Sequence, residues 1–303
     1  MSLIDNISRD FPVGNAAGHC KTLEEVIVLA QSAAQFIVVG SITVPQRDGN
    51  PGNPFNNINL NSLGLPNRGA EYIRQVGREM VKVAHDAGKL IFLSIAGFSP
   101  EEYFELAKVA VECGFDGIEI NAGCPNAVDG GKRKEILCFN SVALEHVVQG
   151  VVQIAKLGPT QLYVLVKVSP MSNPAEIVRT ADLLSSLAID GVVTQNTFPN
   201  ALLFNKDGTP QIKTPDGTGW AGHAGPEIKA QALGQVSQWC KALDSFMVTH
   251  VAVIGVGAVQ NGLDVRDMVF AGAHLVQVGT SYFVSGAGVF ENIATQYVNL
   301  KQE

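Results

Sequence analysis

Apolar residues recur along the chain in short, nearly continuous runs. They are "FIVVG" (36–40), "LIFLSIAG" (90–97), "GIEIN" (117–121), "LYVLVKV" (162–168), "GVVTQN" (191–196), "HVAVIGVG" (250–257) and "HLVQVGT" (274–280). These runs are rich in β-branched residues and end in or near Gly, Asn, Lys or Thr. Continuous apolarity requires cover on both faces, as in a parallel sheet. Between the runs, apolar positions fall at helical spacing over 70–87, 100–113, 141–156, 174–187, 226–243 and 262–271, and a further helical pattern, 286–300, follows the last run. With a weaker first strand at "FPVGN" (11–15), this makes eight βα units and predicts an α/β fold, a (β/α)8 TIM barrel. A doubly wound open sheet is the alternative, but eight units in 303 residues favour closure.

No linker, repeat or low-complexity segment interrupts the pattern, which predicts a single domain over 1–303. Two long irregular insertions stand out, 41–69 and 198–225, rich in Asn, Pro and Gly. Loops of that length in a compact domain are usually functional. Both follow strand C-termini, the face on which barrel active sites are built.

Composition narrows the partners. A net charge of -7 argues against nucleic acid or anionic lipid. "GKRK" (131–134) is the one basic cluster and reads as a solvated loop. No apolar run reaches the roughly 18 residues needed to cross a bilayer, and the N-terminus lacks the basic and apolar regions of a signal peptide. The five cysteines, Cys20, Cys113, Cys124, Cys138 and Cys240, are odd in number and scattered, with no Cys-x-x-Cys. They predict free thiols in a reducing, cytoplasmic setting and no zinc site. Cys113 and Cys240 read as small buried hydrophobes.

The strand ends on the C-terminal face offer Asn15, Gly40, Ser94, Asn121, Lys167, Asn196, Gly255 and Gly279. This set is rich in carboxamides, has one lysine and contains no carboxylate. It lacks both the paired acids of a glycosidase and a cluster of metal ligands. A carboxamide offers donors and an acceptor together, which suits a flat polar heterocycle. The last two strands end in "GVGAV" and "QVGTS", where backbone N–H groups can receive a phosphate.

Ten stretches then carry a family resemblance: "NAAGHC" (15–20), "QRDGNP" (46–51), "NSLGLPNRG" (61–69), "FLSIAG" (92–97), "INAGCPN" (120–126), "VKVSP" (166–170), "NTFPNAL" (196–202), "GPEIKAQAL" (225–233), "IGVGAVQNGLD" (254–264) and "QVGTS" (277–281). The chain resembles, nearly end to end, a dihydroorotate dehydrogenase of the soluble single-chain type, class 1A. The resemblance implies an FMN enzyme that oxidises (S)-dihydroorotate to orotate in pyrimidine biosynthesis, as a homodimer with fumarate as acceptor. It implies Cys124 as the general base. It implies substrate contacts from Asn61, Leu63, Gly64, Leu65, Asn121, Asn126, Asn196 and Thr197. FMN contacts are implied for Ala17, Gly18, Ser41, Ser94, Asn121, Lys167, Gly225, Gly255, Gly257, Gly279 and Thr280, with Lys167 at the flavin N1–C2=O edge. A thiol of ordinary pKa, near 8.5, keeps roughly a few per cent thiolate at neutral pH and can act as a base. Cys138 is either a resolving thiol or a residue at a helix start.

Three departures accompany the resemblance. Where the family usually carries a lysine at the end of the second strand, this sequence has Gly40. Its "NAGC" replaces the commoner Asn-Leu-Ser-Cys, and "GVGAV" ends its glycine pattern early. The first departure raises two readings. Either the enzyme is weak or altered towards another dihydropyrimidine, or has lost catalysis, and Gly40→Lys would raise dihydroorotate turnover; or a nearby basic side chain such as Arg47 compensates. The Gly- and Lys-rich segment 127–138 is expected to form a mobile lid.

Overall fold

The structure, a computed structural model, describes residues 3–7, 10–52, 55–56, 59–129, 132–158 and 160–301. Eight parallel strands form its centre: β1 (Val13–Asn15), β2 (Phe36–Ile42), β3 (Leu90–Ile95), β4 (Gly117–Asn121), β5 (Tyr163–Lys167), β6 (Gly191–Val193), β7 (Ala252–Val256) and β8 (Leu275–Val278). Around them lie α1 (Leu23–Ala30), α2 (Gly69–Asp86), α3 (Pro100–Cys113), α4 (Ser141–Ala155), α5 (Pro174–Ser185), α6 (Lys229–Ser245), α7 (Gly262–Phe270) and α8 (Val289–Leu300). The strands run in the order β1-β8-β7-β6-β5-β4-β3-β2, each parallel to its neighbour.

Closure decides between a barrel and an open sheet, and it rests on few bonds. At the seam between β1 and β2, the Gln35 N–H donates to the Val13 carbonyl at 2.8 Å. At its far end the loop after β1 bonds β2 through Gly18 N–H to the Gly40 carbonyl at 2.6 Å and Gly40 N–H to the Cys20 carbonyl at 2.7 Å, and between these ends a side chain acts as a strand. Asn15, fully buried, accepts from the Val38 N–H at 2.9 Å and donates to the Val38 carbonyl at 2.8 Å. A carboxamide has the same donor and acceptor pair as a peptide unit, so it continues the ladder where the two backbones do not. The barrel is the fold, and the doubly wound alternative falls.

Alternation along each strand sorts the core into two layers. Ile37, Val39, Ile91, Leu93, Ile118, Ile120, Val164 and Val166 pack with the helices. Phe36, Val38, Phe92, Leu165, Ile254 and Leu275 fill the barrel, where the Phe36 and Phe92 rings meet edge to face at 6.2 Å. Leu3 and Ile7, in and beside a short 3-10 turn (Leu3–Asn6), join that inner cluster from the N-terminal side.

Several elements escaped the periodicity. Helix α1 is eight residues long and is fixed by a capping box, with Thr22 accepting from the Glu25 N–H and Glu25 reaching back to the Thr22 N–H. A short helix, Thr280–Ser285, follows β8. The two insertions are not wholly irregular. Phe198–Ala201 pairs antiparallel with Ala221–His223, which pairs with Leu60–Asn61, so the insertions share a small sheet over the barrel mouth. Segment 127–138 contains a hairpin, Val128–Asp129 against Lys132–Arg133, whose tip lies outside the described residues.

Removing the Asn15 carboxamide should expose how much closure is worth. Asn15→Leu strands a buried N–H and a buried carbonyl on Val38, each costing about 1–3 kcal/mol. The expected loss is about 2–5 kcal/mol in urea unfolding; a loss below 1 kcal/mol would show that the seam closes without it.

Candidate active site

An open cavity of about 1230 Å³, counting the solvent in its mouth, sits at the C-terminal ends of the strands. Nearly every expected residue lines it. The loop after β1 brings Ala17 and Gly18, and β2 brings Ser41. The first insertion contributes Asn61, Leu63, Gly64 and Leu65; β4 and its loop contribute Asn121, Cys124 and Asn126. Lys167 comes from β5, Asn196 and Thr197 from the loop after β6, Gly225 from the second insertion, Gly257 from the end of β7, and Gly279 and Thr280 from the end of β8.

Two expected residues do not line it. Ser94 is fully buried beneath the cavity, its hydroxyl paired with Ser41 at 2.9 Å. Gly255 faces the other way: a Cβ there would point at Met268, Ala273 and Val236, in the helix layer. Both lie one layer away from the surface a ligand can touch.

The asparagines form two bonded pairs. Asn196 donates to Asn121 Oδ1 at 3.2 Å, and Asn121 donates to Ser41 Oγ at 2.8 Å. Asn126 donates to the Asn61 carbonyl at 2.9 Å and to Asn61 Oδ1 at 3.3 Å. Each side chain is thereby held in one orientation. Polar atoms remain without partners among the described residues: Asn126 Oδ1, Thr197 Oγ1, and both Oε1 and Nε2 of Gln195. Gln195 lines the cavity, is 1% exposed, and was not anticipated. Buried polar atoms cost free energy unless paired. A flat heterocycle with donors and acceptors on its rim can pair them, whereas an apolar ligand cannot. The site fits a flavin and a pyrimidine.

The floor holds a charge that the strand ends did not reveal. Glu119, two residues below Asn121 and on the same face of β4, is fully buried inside the barrel. It accepts from Ser94 Oγ at 3.2 Å and Gln277 Nε2 at 2.7 Å, and lies 4.0 Å from Lys167 Nζ. Lys167 also donates to Gln277 Oε1 at 3.4 Å. The signal in the sequence was a Glu between Ile118 and Ile120, in phase with Asn121.

Cys124 is partly exposed in the cavity wall. Its loop lies close against the end of β5, since a Cβ on Gly123 would stand 2.2 Å from the Val168 carbonyl carbon. Burial pushes the Cys124 thiol above its ordinary pKa, opposed by the Asn126 and Ala127 N–H groups and by Lys134 and Lys21. The thiolate fraction is therefore smaller than an ordinary thiol would give. Cys138 is structural. It sits in a 3-10 turn (Leu137–Phe139), accepts from the Ser169 N–H at 3.2 Å, and is pushed by burial to about 12.

The hairpin beside Cys124 is tied down. Arg133 pairs with Asp216 at 2.9 Å and donates to the Pro125 and Trp220 carbonyls. Burial works against the charge of Asp216, yet bonds from Thr214, Arg133 and Thr218 hold its carboxyl well below the usual range. At the mouth, the Phe283 ring stacks 4.5 Å from His19 and meets Phe55 edge-on at 5.1 Å.

Gly40 cannot carry the lysine suggested by analogy. Its φ is +120°, and a Cβ would stand 2.4 Å from the Ser94 carbonyl oxygen and 2.9 Å from the Ile42 nitrogen. The expectation that Gly40→Lys raises turnover is overturned by this crowding. Arg47 does not compensate either: it donates to the Val128 carbonyl at 2.7 Å, stacks on Phe98 at 4.6 Å, and is absent from the cavity wall. The cation beside Cys124 within the cavity is Lys21, from the loop after β1, which donates to the Pro66 carbonyl at 2.6 Å.

A barrel with a thiol and paired carboxamides at its mouth defines a heterocycle-binding enzyme of the TIM-barrel class. The sequence pattern of dihydroorotate dehydrogenase matches residues 4–300, and the chain belongs to that family. It is 28% identical over 302 residues to the dihydroorotate dehydrogenase (fumarate) of Lachancea kluyveri, covering 97% of this chain and 91% of that one. It is 31% identical over 290 residues to the dihydroorotate dehydrogenase A (fumarate) of Lactococcus lactis subsp. lactis, covering 93% and 88%. The crystal structure of DHODH from Eimeria tenella, in complex with ferulenol, shares the fold with a TM-score of 0.78 at 20% identity, covering 96% and 81%.

The floor should be sensitive to loss of its charge. Glu119→Leu leaves Lys167 buried without its counter-charge, a change that typically costs about 3–5 kcal/mol. Glu119→Gln, which can keep bonds to Ser94 and Gln277, should cost less. Equal stability of Glu119→Leu and wild type in denaturant titration would remove this pairing from the account.

Proposed function

We propose that this chain is an FMN-dependent dihydroorotate dehydrogenase that oxidises (S)-dihydroorotate to orotate in pyrimidine biosynthesis, with fumarate as acceptor and Cys124 as general base. The observation that carries the reading is the placement of Cys124 in one cavity wall with both bonded asparagine pairs. The names of the relatives from Lachancea and Lactococcus support the choice of acceptor. The same reading makes residues 1–303 a single FMN-binding domain. It also places five free thiols in the cytoplasm and makes the protein a homodimer. Among the described residues no helix is long and apolar enough to cross a membrane.

FMN, when bound, supplies the hydride acceptor for C6 of the substrate. Ala17, Gly18, Ser41, Asn121, Lys167, Gly225, Gly257, Gly279 and Thr280 would hold it. The chain's own residues do the rest. Asn121, Asn126, Asn61 and Asn196 orient the pyrimidine, with Thr197 and the Leu63–Leu65 turn completing its wall. Cys124 Sγ, as thiolate, takes the C5 proton and becomes the thiol. Lys167 would place a positive charge at the flavin edge where negative charge collects.

Anaerobic bleaching of the yellow protein by dihydroorotate, and not by dihydrouracil, is the expected result; bleaching by dihydrouracil alone would move the enzyme to another dihydropyrimidine. Cys124→Ala should abolish bleaching and keep FMN, while Cys124→Ser should retain a small rate that rises at high pH. Because burial raises the thiol pKa, the wild-type rate at saturating dihydroorotate should still be climbing with pH above 8.5, the ordinary thiol value. An alanine variant bleached at near wild-type rate would end the assignment of the base.

A further inference from the structure

Two lysines line the cavity, and their circumstances differ. Lys167 has Glu119 at 4.0 Å. Lys21, partly buried, has the Pro66 carbonyl at 2.6 Å, and among the described residues no carboxylate forms an ion pair with it. The Glu25 carboxylate is engaged by the backbone N–H groups of Lys21 and Thr22, in the cap of α1. An ammonium has three donors, so two remain for a ligand. Partial burial disfavours a cation that has no direct ion pair, and an anion in the same cavity relieves that cost.

The groups around Lys21 are Glu25, Cys124 and Cys20, whose fields favour its charge, and His19, which feels both Lys21 and Lys167. Lys134 acts on Cys124 from the neighbouring loop, where it donates to Tyr103 Oη at 3.3 Å. Burial lowers the Lys21 pKa to about 8, so the side chain is mostly protonated at neutral pH. His19, lowered to about 4 by burial and by those two lysines, is neutral there and adds no competing charge.

We propose that Lys21 is the anion receptor of this cavity: its ammonium, carried on the loop after β1 and sharing the wall with Cys124, takes the carboxylate of the substrate and sets a preference for acidic ligands over neutral ones. This rests on the dihydroorotate reading and deepens it. It also accounts for a site that functions with glycine at position 40. The cation enters from the first strand's loop instead of the second strand.

Calorimetric titration of the purified flavoprotein with orotate and with fumarate between pH 6.5 and 9 tests it on wild type, Lys21→Met and Lys21→Arg. Loss of a charge-assisted bond predicts affinities for both acids about ten- to a hundredfold weaker in Lys21→Met. In wild type the affinity should fall as pH rises through about 8, because the ammonium loses its proton there. That fall should vanish in Lys21→Met and move to higher pH in Lys21→Arg, which should retain binding. Affinity within twofold of wild type in Lys21→Met would overturn the proposal, as would a wild type that binds neither acid. A Lys21→Met protein that binds more weakly yet keeps the same fall above pH 8 would also overturn it, leaving the lysine as a tether of Pro66. If dihydroorotate fails to bleach the wild type but orotate binding still depends on Lys21, the anion receptor stands and the dehydrogenase reading falls. Bleaching with Lys21-independent binding is the reverse.

Discussion

Burial of one carboxylate organises the centre of this barrel. Glu119 lies inside it with no exposure to solvent, and a charge taken out of water must be paired and hydrogen-bonded. The pairing draws Ser94 from β3, Lys167 from β5 and Gln277 from β8 towards β4. Four of the eight strands thus meet at this one carboxylate. Because side chains alternate, the same phase that turns Glu119 inward turns Asn121 inward one step higher and sends Ile118 and Ile120 to the helices. The polar floor, the carboxamide above it and the apolar outer layer are one consequence of the register of β4.

Such a floor also explains why the two lysines of the cavity differ in kind. Lys167 is part of the framework, held by groups from two other strands. Lys21 stands on a loop, bonded to a carbonyl of the first insertion, and lines the cavity. A framework cation stabilises the fold continuously, and a loop cation becomes fully satisfied when a ligand arrives. The mouth follows the same division. Its aromatic contacts, Phe55 with Phe283 and Phe283 with His19, join the first insertion to the helix after β8 and the loop after β1.

The barrel was legible because parallel strands buried on both faces write long apolar runs, and the helices between them keep a regular period. What failed to show was short or non-local. Helix α1 has eight residues, and its only clear mark was the Thr22/Glu25 capping box. The insertion sheet joins Asn61 to Gly222, strands of two to four residues with no local pattern. At the site, "INAGCPN" was readable because its residues are contiguous. Lys21 was not, because a lysine beside a helix start looks solvated until the Pro66 segment folds over it. Gly40 misled for a related reason: counting back from "RDGNP" identifies the position, but only the neighbouring Ser94 carbonyl shows how little room a side chain has. Ser94 and Gly255 were expected at the ligand by resemblance, and the structure sets Ser94 beneath the cavity and aims the Gly255 Cβ direction at the helix layer.

The close approach at Gly123 bears on how this loop can change over time. A Cβ there would meet the Val168 carbonyl carbon at 2.2 Å and the Ser169 nitrogen at 2.4 Å, so the cysteine loop and the end of β5 are fitted to each other. A serine side chain at this point would need a wider gap between the same two segments. The loop is therefore not a portable cassette. Transplanting the Asn-Leu-Ser-Cys version into this barrel would push β5 outward and disturb Lys167, one residue before Val168. In this chain a change at Gly123 therefore calls for a matching change at Val168 and Ser169.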